Sequence, residues 1–317
     1  MKKINELSIG FFGTPLFALS FLEFLFQNKI NICFVVSQPP KCSGRGKKIN
    51  QSPVHKWAEK NNIKVFTPKD ASNEEFLRKI KSENVDFNII VAYGKILKKE
   101  IIEMPKFLSI NVHASLLPRW RGAAPIHRAI LSNDKETGVS IMKVDEKLDS
   151  GPVILSKKFD INKDDNFEGI SNKIIDHGKN LLKQAILKIA NKDIKFEYQD
   201  DKFATYAKKI EKNEQKIIWN NRASDINLQI RAFSPSPGAW TNIKNSNERI
   251  KILRAEVITN NEGSKEDRFN VGEITESFKV KCGKDFLKVE LLQKEGKKPI
   301  NAKDFLNGNS IKDLSFC

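Results

Sequence analysis

Asn111 and His113 are the residues from which chemistry can be built. They stand two apart in Ser109-Ile-Asn-Val-His113, whose branched, alternating residues predict a short strand over Ser109–Val112. Side chains two apart on a strand share a face. The carboxyl end of a strand is where open α/β sheets place their ligands. An amide donor beside an imidazole suits a negative charge that develops on an oxygen during a reaction. The plain alternative is a strand-end Asn and His satisfied by backbone groups.

The elements that must carry this pair read as alternating strands and helices. Leu7–Phe12 is expected as a buried first strand, with Thr14 capping and Pro15 opening a helix over about 16–27. Ile32–Ser37 is a second strand. Ser52-Pro53 starts a helix to about Asn61, Lys64–Phe66 is strand-like, and Asn73 with Glu74 and Glu75 starts another helix. Phe87–Ala92 is a strongly apolar central strand. Beyond His113, Pro125 suits a first helical position. Gly138–Val144 and Val153–Phe159 are strands flanking an acidic loop that holds Asp145 and Asp149. A helix over about 167–189 follows the helical apolar period. This order predicts an α/β fold, Rossmann-like with a mostly parallel sheet. Asn191–Thr205 is charged and weakly periodic and reads as a linker. Short strand-like runs at Lys251–Ile258, Val271–Ile274, Lys279–Cys282 and Leu287–Leu292, separated by Gly, Asn and Lys turns, suit a small OB-like β-barrel. The expected domains are therefore 1–190 and 206–317, joined by the linker 191–205.

Composition narrows the partners. The 317 residues carry 55 Lys+Arg against 39 Asp+Glu, a net charge of +16, split as +10 over residues 1–205 and +6 over 206–317. Such a surplus favours a polyanionic partner, although a lysine-rich proteome would produce the same tilt. Lys41, Arg45, Lys47 and Lys48 lie together in a stretch with Gly44 and Gly46 and without an apolar period. It reads either as a solvated loop or as one that grips a nucleic-acid backbone. Gly10-Phe-Phe-Gly13 is not the dinucleotide fingerprint, and the Gly46-Lys47 loop lacks the first glycine of a phosphate-binding P-loop. Cys33, Cys42, Cys282 and Cys317 show no zinc spacing, and His55, His127 and His177 have no ligand partner at usable spacing, so no metal is expected. Reduced thiols and the absence of a membrane-length apolar run predict a cytoplasmic protein off the membrane.

Four stretches carry a resemblance. Asn111-x-His113, Ser115-Leu-Leu-Pro118 and Arg119-Trp-Arg-Gly-Ala-Ala-Pro-Ile126 resemble the methionyl-tRNA formyltransferases, and Leu148-Asp-Ser-Gly-Pro152 resembles that family's second catalytic segment. The Asn-x-His…Asp set is shared by folate-dependent formyltransferases at large; the Arg-Trp-Arg-Gly-Ala-Ala-Pro run is more specific. The resemblance covers almost the whole chain. It departs at Pro40–Ser43, and at Ser234 and Ser236, where the family usually has the Asn and Trp of Asn-Pro-Trp-Pro.

The resemblance implies formyl transfer from 10-formyltetrahydrofolate to the α-amine of methionine on initiator methionyl-tRNA, by a monomer without metal. It implies catalysis by Asn111, His113 and Asp149. Asp149 either orients His113 or takes the amine proton through water, and Asp145 is the rival acid. Tyr93, Gly94, Lys95, Ile96 and Leu97 resemble the pterin-binding wall, and Ser115, Leu116, Leu117 and Pro118 would help seat the folate through backbone groups. Lys41, Arg45, Lys47 and Lys48 match a basic insertion that enters the tRNA acceptor end, with the C-terminal barrel adding RNA affinity. Two other functions remain open: a formyltransferase for a small amine of purine or nucleotide-sugar chemistry, and an RNA-binding relative without catalysis.

Overall fold

The first strand, β1 (Ser8–Gly13), is buried along almost its whole length, as a strand covered on both faces should be. The computed structural model describes residues 2–43, 48–71, 73–244, 248–259, 268–307 and 315–317. Helix α1 (Leu16–Gln27) follows β1, with Pro15 in extended conformation at its N-cap. The expected cap, Thr14, does another job: its hydroxyl donates to the Tyr93 carbonyl at 3.2 Å. Strand β2 (Asn31–Val36) lies parallel to β1. A short ribbon then pairs β3 (Lys41–Ser43) with β4 (Lys48–Asn50). Helix α2 (Pro53–Lys60) is capped by Ser52, whose hydroxyl accepts from the His55 amide, and Pro53 takes the first helical position. After β5 (Lys64–Phe66) comes α3 (Glu74–Lys81), capped by Asn73 and opened by Glu74 and Glu75.

Strand β6 (Phe87–Val91), helix α4 (Lys99–Ile102), strand β7 (Leu108–His113), strand β8 (Arg121–Gly122), helix α5 (Pro125–Leu131), strands β9 (Glu136–Lys143) and β10 (Val153–Asp160), and helix α6 (Phe167–Ala190) follow. The main sheet has the order β10-β9-β7-β6-β1-β2-β5. Its central strands β2, β1, β6 and β7 are parallel, and β9 runs antiparallel to β7. The order turns from β2 on one side of β1 to β6 on the other. The crevice at the carboxyl ends of these strands is the topological switch point, where open sheets hold ligands. Phe12, Phe34, Phe76, Ile80, Ile90, Tyr93 and Ile101 form a core on one face. Gly178 of α6 lies where a Cβ would come within 3.0 Å of the Phe21 ring, so this helix packs closely over α1.

Two compact units result: residues 1–125, 136–159 and 171–208, and residues 126–135, 160–170 and 209–317. The stretch expected as a plain linker is bonded into the first unit. Val153 and Glu197 exchange both backbone hydrogen bonds, at 2.8 and 2.9 Å. Strand β11 (Tyr206–Ala207) pairs in parallel with β8, so residues 206–208 belong with the first unit rather than with the C-terminal one.

In the second unit, helix α7 (Ala223–Phe233) precedes strands β12 (Ala239–Asn242), β13 (Arg249–Ile258), β14 (Lys279–Lys281), β15 (Phe286–Lys294) and β16 (Ile300–Asn301), then helix α8 (Ala302–Asn307). The strands form a five-stranded antiparallel sheet. Ile226, Ile230 and Phe233 of α7 join its core with Ile250, Ile252, Val280 and Leu292. The expected strand Val271–Ile274 is reduced to isolated bridges at Glu273 and Ile274, because Gly272, at φ +85°, turns the chain there. Among the described residues no helix is long and apolar enough to cross a membrane.

Candidate active site

Strand β7 delivers Asn111 and His113 to one face, and both side chains point at Asp149. Asn111 Nδ2 donates to Asp149 Oδ1 at 3.3 Å. His113 Nδ1 stands 3.6 Å from Asp149 Oδ2, and the Gly122 amide donates to that same oxygen at 2.9 Å. His113 is 5% exposed, and its Nε2 lies 2.8 Å from the Trp120 carbonyl. A carbonyl only accepts, so Nε2 carries a proton. A neutral ring then presents a lone pair to Asp149, whereas an imidazolium presents N–H to both oxygens. The rival acid, Asp145, is exposed, and among the described residues it accepts from the next residue's amide, at 2.8 Å.

Backbone conformation is unusual around this group. Asp149 (φ +48°), Trp120 (φ +62°) and Ala92 (φ +44°) all occupy the left-handed region without being glycine. Such residues cost about 1–3 kcal/mol each and persist only where their surroundings fix them. Gly151 shows how tight the Asp149 loop is: a Cβ there would lie 2.1 Å from the Lys143 carbonyl.

The segment 92–97 divides by side. Tyr93 and Leu97 turn into the core, while Gly94 and Ile96 face out, Ile96 at 78% exposure. Tyr93 packs edge-on against Phe12 at 5.7 Å, and burial pushes its hydroxyl up to about 12. Its side chain is therefore core rather than wall. Its carbonyl receives Thr14 Oγ1 and Gln38 Nε2, the latter at 2.9 Å. Lys95 Nζ donates to the Pro68 and Lys69 carbonyls at 2.9 and 2.7 Å. The open surface of this segment is at Ala92, Gly94 and the Ile96 side chain.

The Ser115–Pro118 loop is held from beneath by Ser140. Its hydroxyl donates to the Ser115 carbonyl at 2.8 Å and accepts from the Leu117 amide at 3.2 Å. Ser115 Oγ donates to the Arg119 carbonyl, the Leu116 carbonyl accepts from the Arg119 amide, and the Pro118 carbonyl accepts from the Thr205 amide. These backbone groups are committed within the protein, which leaves less of the loop's backbone to a ligand than the sequence suggests. Lys41 Nζ donates to Gln38 Oε1 at 2.7 Å. Arg45, Lys47 and the side chain of Lys48 lie outside the described residues.

A family model described as Formyl transferase matches residues 8–186, and one described as Formyl transferase, C-terminal domain, matches residues 209–310. The methionyl-tRNA formyltransferase of Pelagibacter ubique is 42% identical over 306 residues, 96% of each chain. This chain belongs to the methionyl-tRNA formyltransferase family. Among solved structures, the methionyl-tRNA formyltransferase from Clostridium thermocellum superposes with a TM-score of 0.56 at 20% identity, over 80% of this chain and 94% of that one. The sugar 3N-formyl transferase WlaRD, solved with dTDP and 5-N-formyl-THF, gives a TM-score of 0.64 at 24% identity, over 92% and 99%. These two likenesses concern the fold.

In this formyltransferase several residues around the trio escaped the sequence. Gly122 faces Asp149 through a backbone amide, which side-chain type does not announce. Thr14 and Gln38 brace the Tyr93–Gly94 turn across the crevice. Gln199 and Thr205 reach in from the supposed linker: Thr205 Oγ1 accepts from the Trp120 amide at 2.9 Å. Among the described residues no group of three or more His, Cys, Asp or Glu side chains is arranged to hold a metal ion.

Proposed function

We propose that this chain transfers the formyl group of 10-formyltetrahydrofolate to the α-amine of methionine on initiator methionyl-tRNA. The observation that carries the reading is the convergence of Asn111, His113 and Asp149 at the carboxyl end of β7, in a family member alike over nearly its full length.

The amine nitrogen attacks the formyl carbon, and the carbonyl π pair moves to oxygen. One N–H of Asn111 is engaged by Asp149, and its second is available to that oxyanion. The amine proton must leave, and the folate N10 takes a proton as its bond to the formyl carbon breaks. His113 and Asp149 form the pair between which that proton can be held, with the carboxylate 3.6 Å from Nδ1 keeping the ring oriented. For His113 to assist the oxyanion directly, its Nε2–H must exchange the Trp120 carbonyl for substrate. The folate would lie along Gly94 and Ile96 on one side and the Ser115–Pro118 loop on the other. Residues 209–317 and the basic loop with Lys41, Arg45, Lys47 and Lys48 would hold the RNA through phosphate contacts that position rather than specify. The three chemical residues come from one chain, so a monomer suffices, and the reading places it in the cytoplasm with other translation components.

Transfer of labelled formyl from 10-formyltetrahydrofolate tests this, with charged initiator tRNA, free methionine and an amino-sugar nucleotide as acceptors. Label in the methionyl-tRNA alone supports the reading. Label chiefly in the amino-sugar nucleotide overturns it in favour of a small-amine enzyme.

A further inference from the structure

Gln199 lies in the stretch the sequence presents as a linker, yet its side chain reaches the acid of the active site. Its Nε2 donates to the Asp149 carbonyl at 3.0 Å and to the Gly151 carbonyl at 2.6 Å, and its Oε1 accepts from Arg121 Nε at 2.9 Å. The orientation of this amide is fixed by chemistry: carbonyls only accept and a guanidinium only donates. A primary amide is the side chain that meets both demands. Glutamate has the same shape and cannot donate to the carbonyls.

These contacts close a ring. Gly122, next to Arg121, donates its amide to Asp149 Oδ2. Asp149 is bonded through its carbonyl to Gln199, and Gln199 is bonded to Arg121. Three segments, 27, 50 and 78 residues apart along the chain, are each tied to the other two. Arg121 is 3% exposed, and its Nη1 meets Asp201 Oδ1 at 2.8 Å, so the guanidinium is itself held on a second side. The paired bonds between Val153 and Glu197 set the register of the incoming segment. Extended backbone alternates its side chains, so Tyr198 faces solvent at 80% exposure and Gln199 turns inward.

We propose that Gln199 is a positioning residue that holds the Asp149 loop, and with it the carboxylate, in the geometry required for formyl transfer. The left-handed backbone at Asp149 makes an outside restraint necessary. Gln199 grips both sides of the Asp149–Gly151 turn, whereas Asn111 and Gly122 hold only the carboxylate. The inference rests on the formyl-transfer reading for its kinetic consequence, and its structural consequence can be measured separately.

The test uses the full chain with Gln199→Ala and Gln199→Glu, each alone and combined with Asp149→Asn. Misplacement by about 1 Å through a residue away from the chemistry can cost about 10²-fold, so a fall in kcat of about tenfold or more is expected for both single variants. KM for 10-formyltetrahydrofolate and for charged initiator tRNA should stay within about twofold of wild type. In the Asp149→Asn background either change should add less than about twofold, because Gln199 acts through Asp149. Amide hydrogen exchange should accelerate in peptides covering 119–124 and 145–152 and stay unchanged in the sheet core. Wild-type kcat in Gln199→Glu overturns the proposal, since that variant keeps the shape and loses the donors. Full additivity with Asp149→Asn, or loss confined to KM, also overturns it and marks a merely structural contact. If the wild-type chain transfers no formyl group to methionyl-tRNA, the functional reading fails by itself; exchange then judges the clasp, and unchanged exchange at 145–152 overturns it.

Discussion

Asp149→Asn separates the proposed chemical acid from its rival on the same loop. The substitution keeps the shape and removes the charge. In the wild-type chain, Oδ1 accepts from Asn111 Nδ2 and Oδ2 accepts from the Gly122 amide. An asparagine has only one oxygen. With its oxygen kept on the Gly122 amide, its N–H faces Asn111, whose own amide can turn over and accept that N–H with its oxygen. The number of hydrogen bonds is then kept, so the variant should stay within about 1 kcal/mol of wild type in stability. It also loses the negative charge that faces His113 Nδ1 at 3.6 Å. General acid–base groups contribute about 10²–10⁴-fold, so single-turnover formyl transfer to charged initiator tRNA should slow by that range. Asp145→Asn is the control: Asp145 is exposed and its carboxylate accepts from the Glu146 amide of its own loop, so its rate should stay within about threefold. A near-wild-type rate for Asp149→Asn beside a crippled Asp145→Asn would refute the assignment.

Asn111→Ala should lower kcat by about 10²–10³, the usual loss for one oxyanion donor, with a smaller change in tRNA binding measured by filter retention. Replacing Arg45, Lys47 and Lys48 together by Ala should weaken tRNA binding and flatten the salt slope by about 0.7–0.9 per lost phosphate contact, with folate binding kept; an unchanged salt response would remove RNA from this loop. His127 supplies a pH signature: burial beside Arg128 lowers its pKa from 6.5 to about 4, and its ring packs on Phe167 at 4.3 Å. Between pH 4 and 6.5 the unfolded chain binds a proton there that the folded chain refuses, so stability rises with pH through that window. At 1.36 kcal/mol per pKa unit the effect reaches at most about 3 kcal/mol. Urea midpoints of wild type and His127→Gln between pH 4.5 and 6.5 should show a shallower slope in the variant, and parallel slopes would refute it.

The sheet was legible because its strands are buried runs closed by clear punctuation. Ser52-Pro53 and Asn73-Glu-Glu75 announce their helices, and both caps form as their side chains dictate. Asn111 and His113 were legible as a pair because strand periodicity alone puts them on one face. Thr14 misled: Pro15 takes extended backbone outside the helix, which frees the Thr14 hydroxyl to bond across the crevice to Tyr93. Tyr93 misled in another way, since a motif match does not say which of two adjacent residues turns inward. Helix α7 was missed although Ile226, Ile230 and Phe233 keep the helical period; the surrounding strand-like runs dominated the reading. The stretch 191–205 looked like a linker because its order comes from distant partners, Val153, Asp149, Trp120 and Arg121, rather than from a local apolar period. No local pattern encodes a hydrogen bond between residues 50 positions apart.

The account's central claim is formyl transfer to methionine on an initiator tRNA. The most direct measurement is kcat/KM with 10-formyltetrahydrofolate and charged initiator methionyl-tRNA, set against charged elongator methionyl-tRNA under the same salt. The account predicts efficient transfer to the initiator, with a preference of about 10²-fold or more, equivalent to about 2.7 kcal/mol of transition-state discrimination. Equal rates on both tRNAs, or no transfer to either, would contradict it.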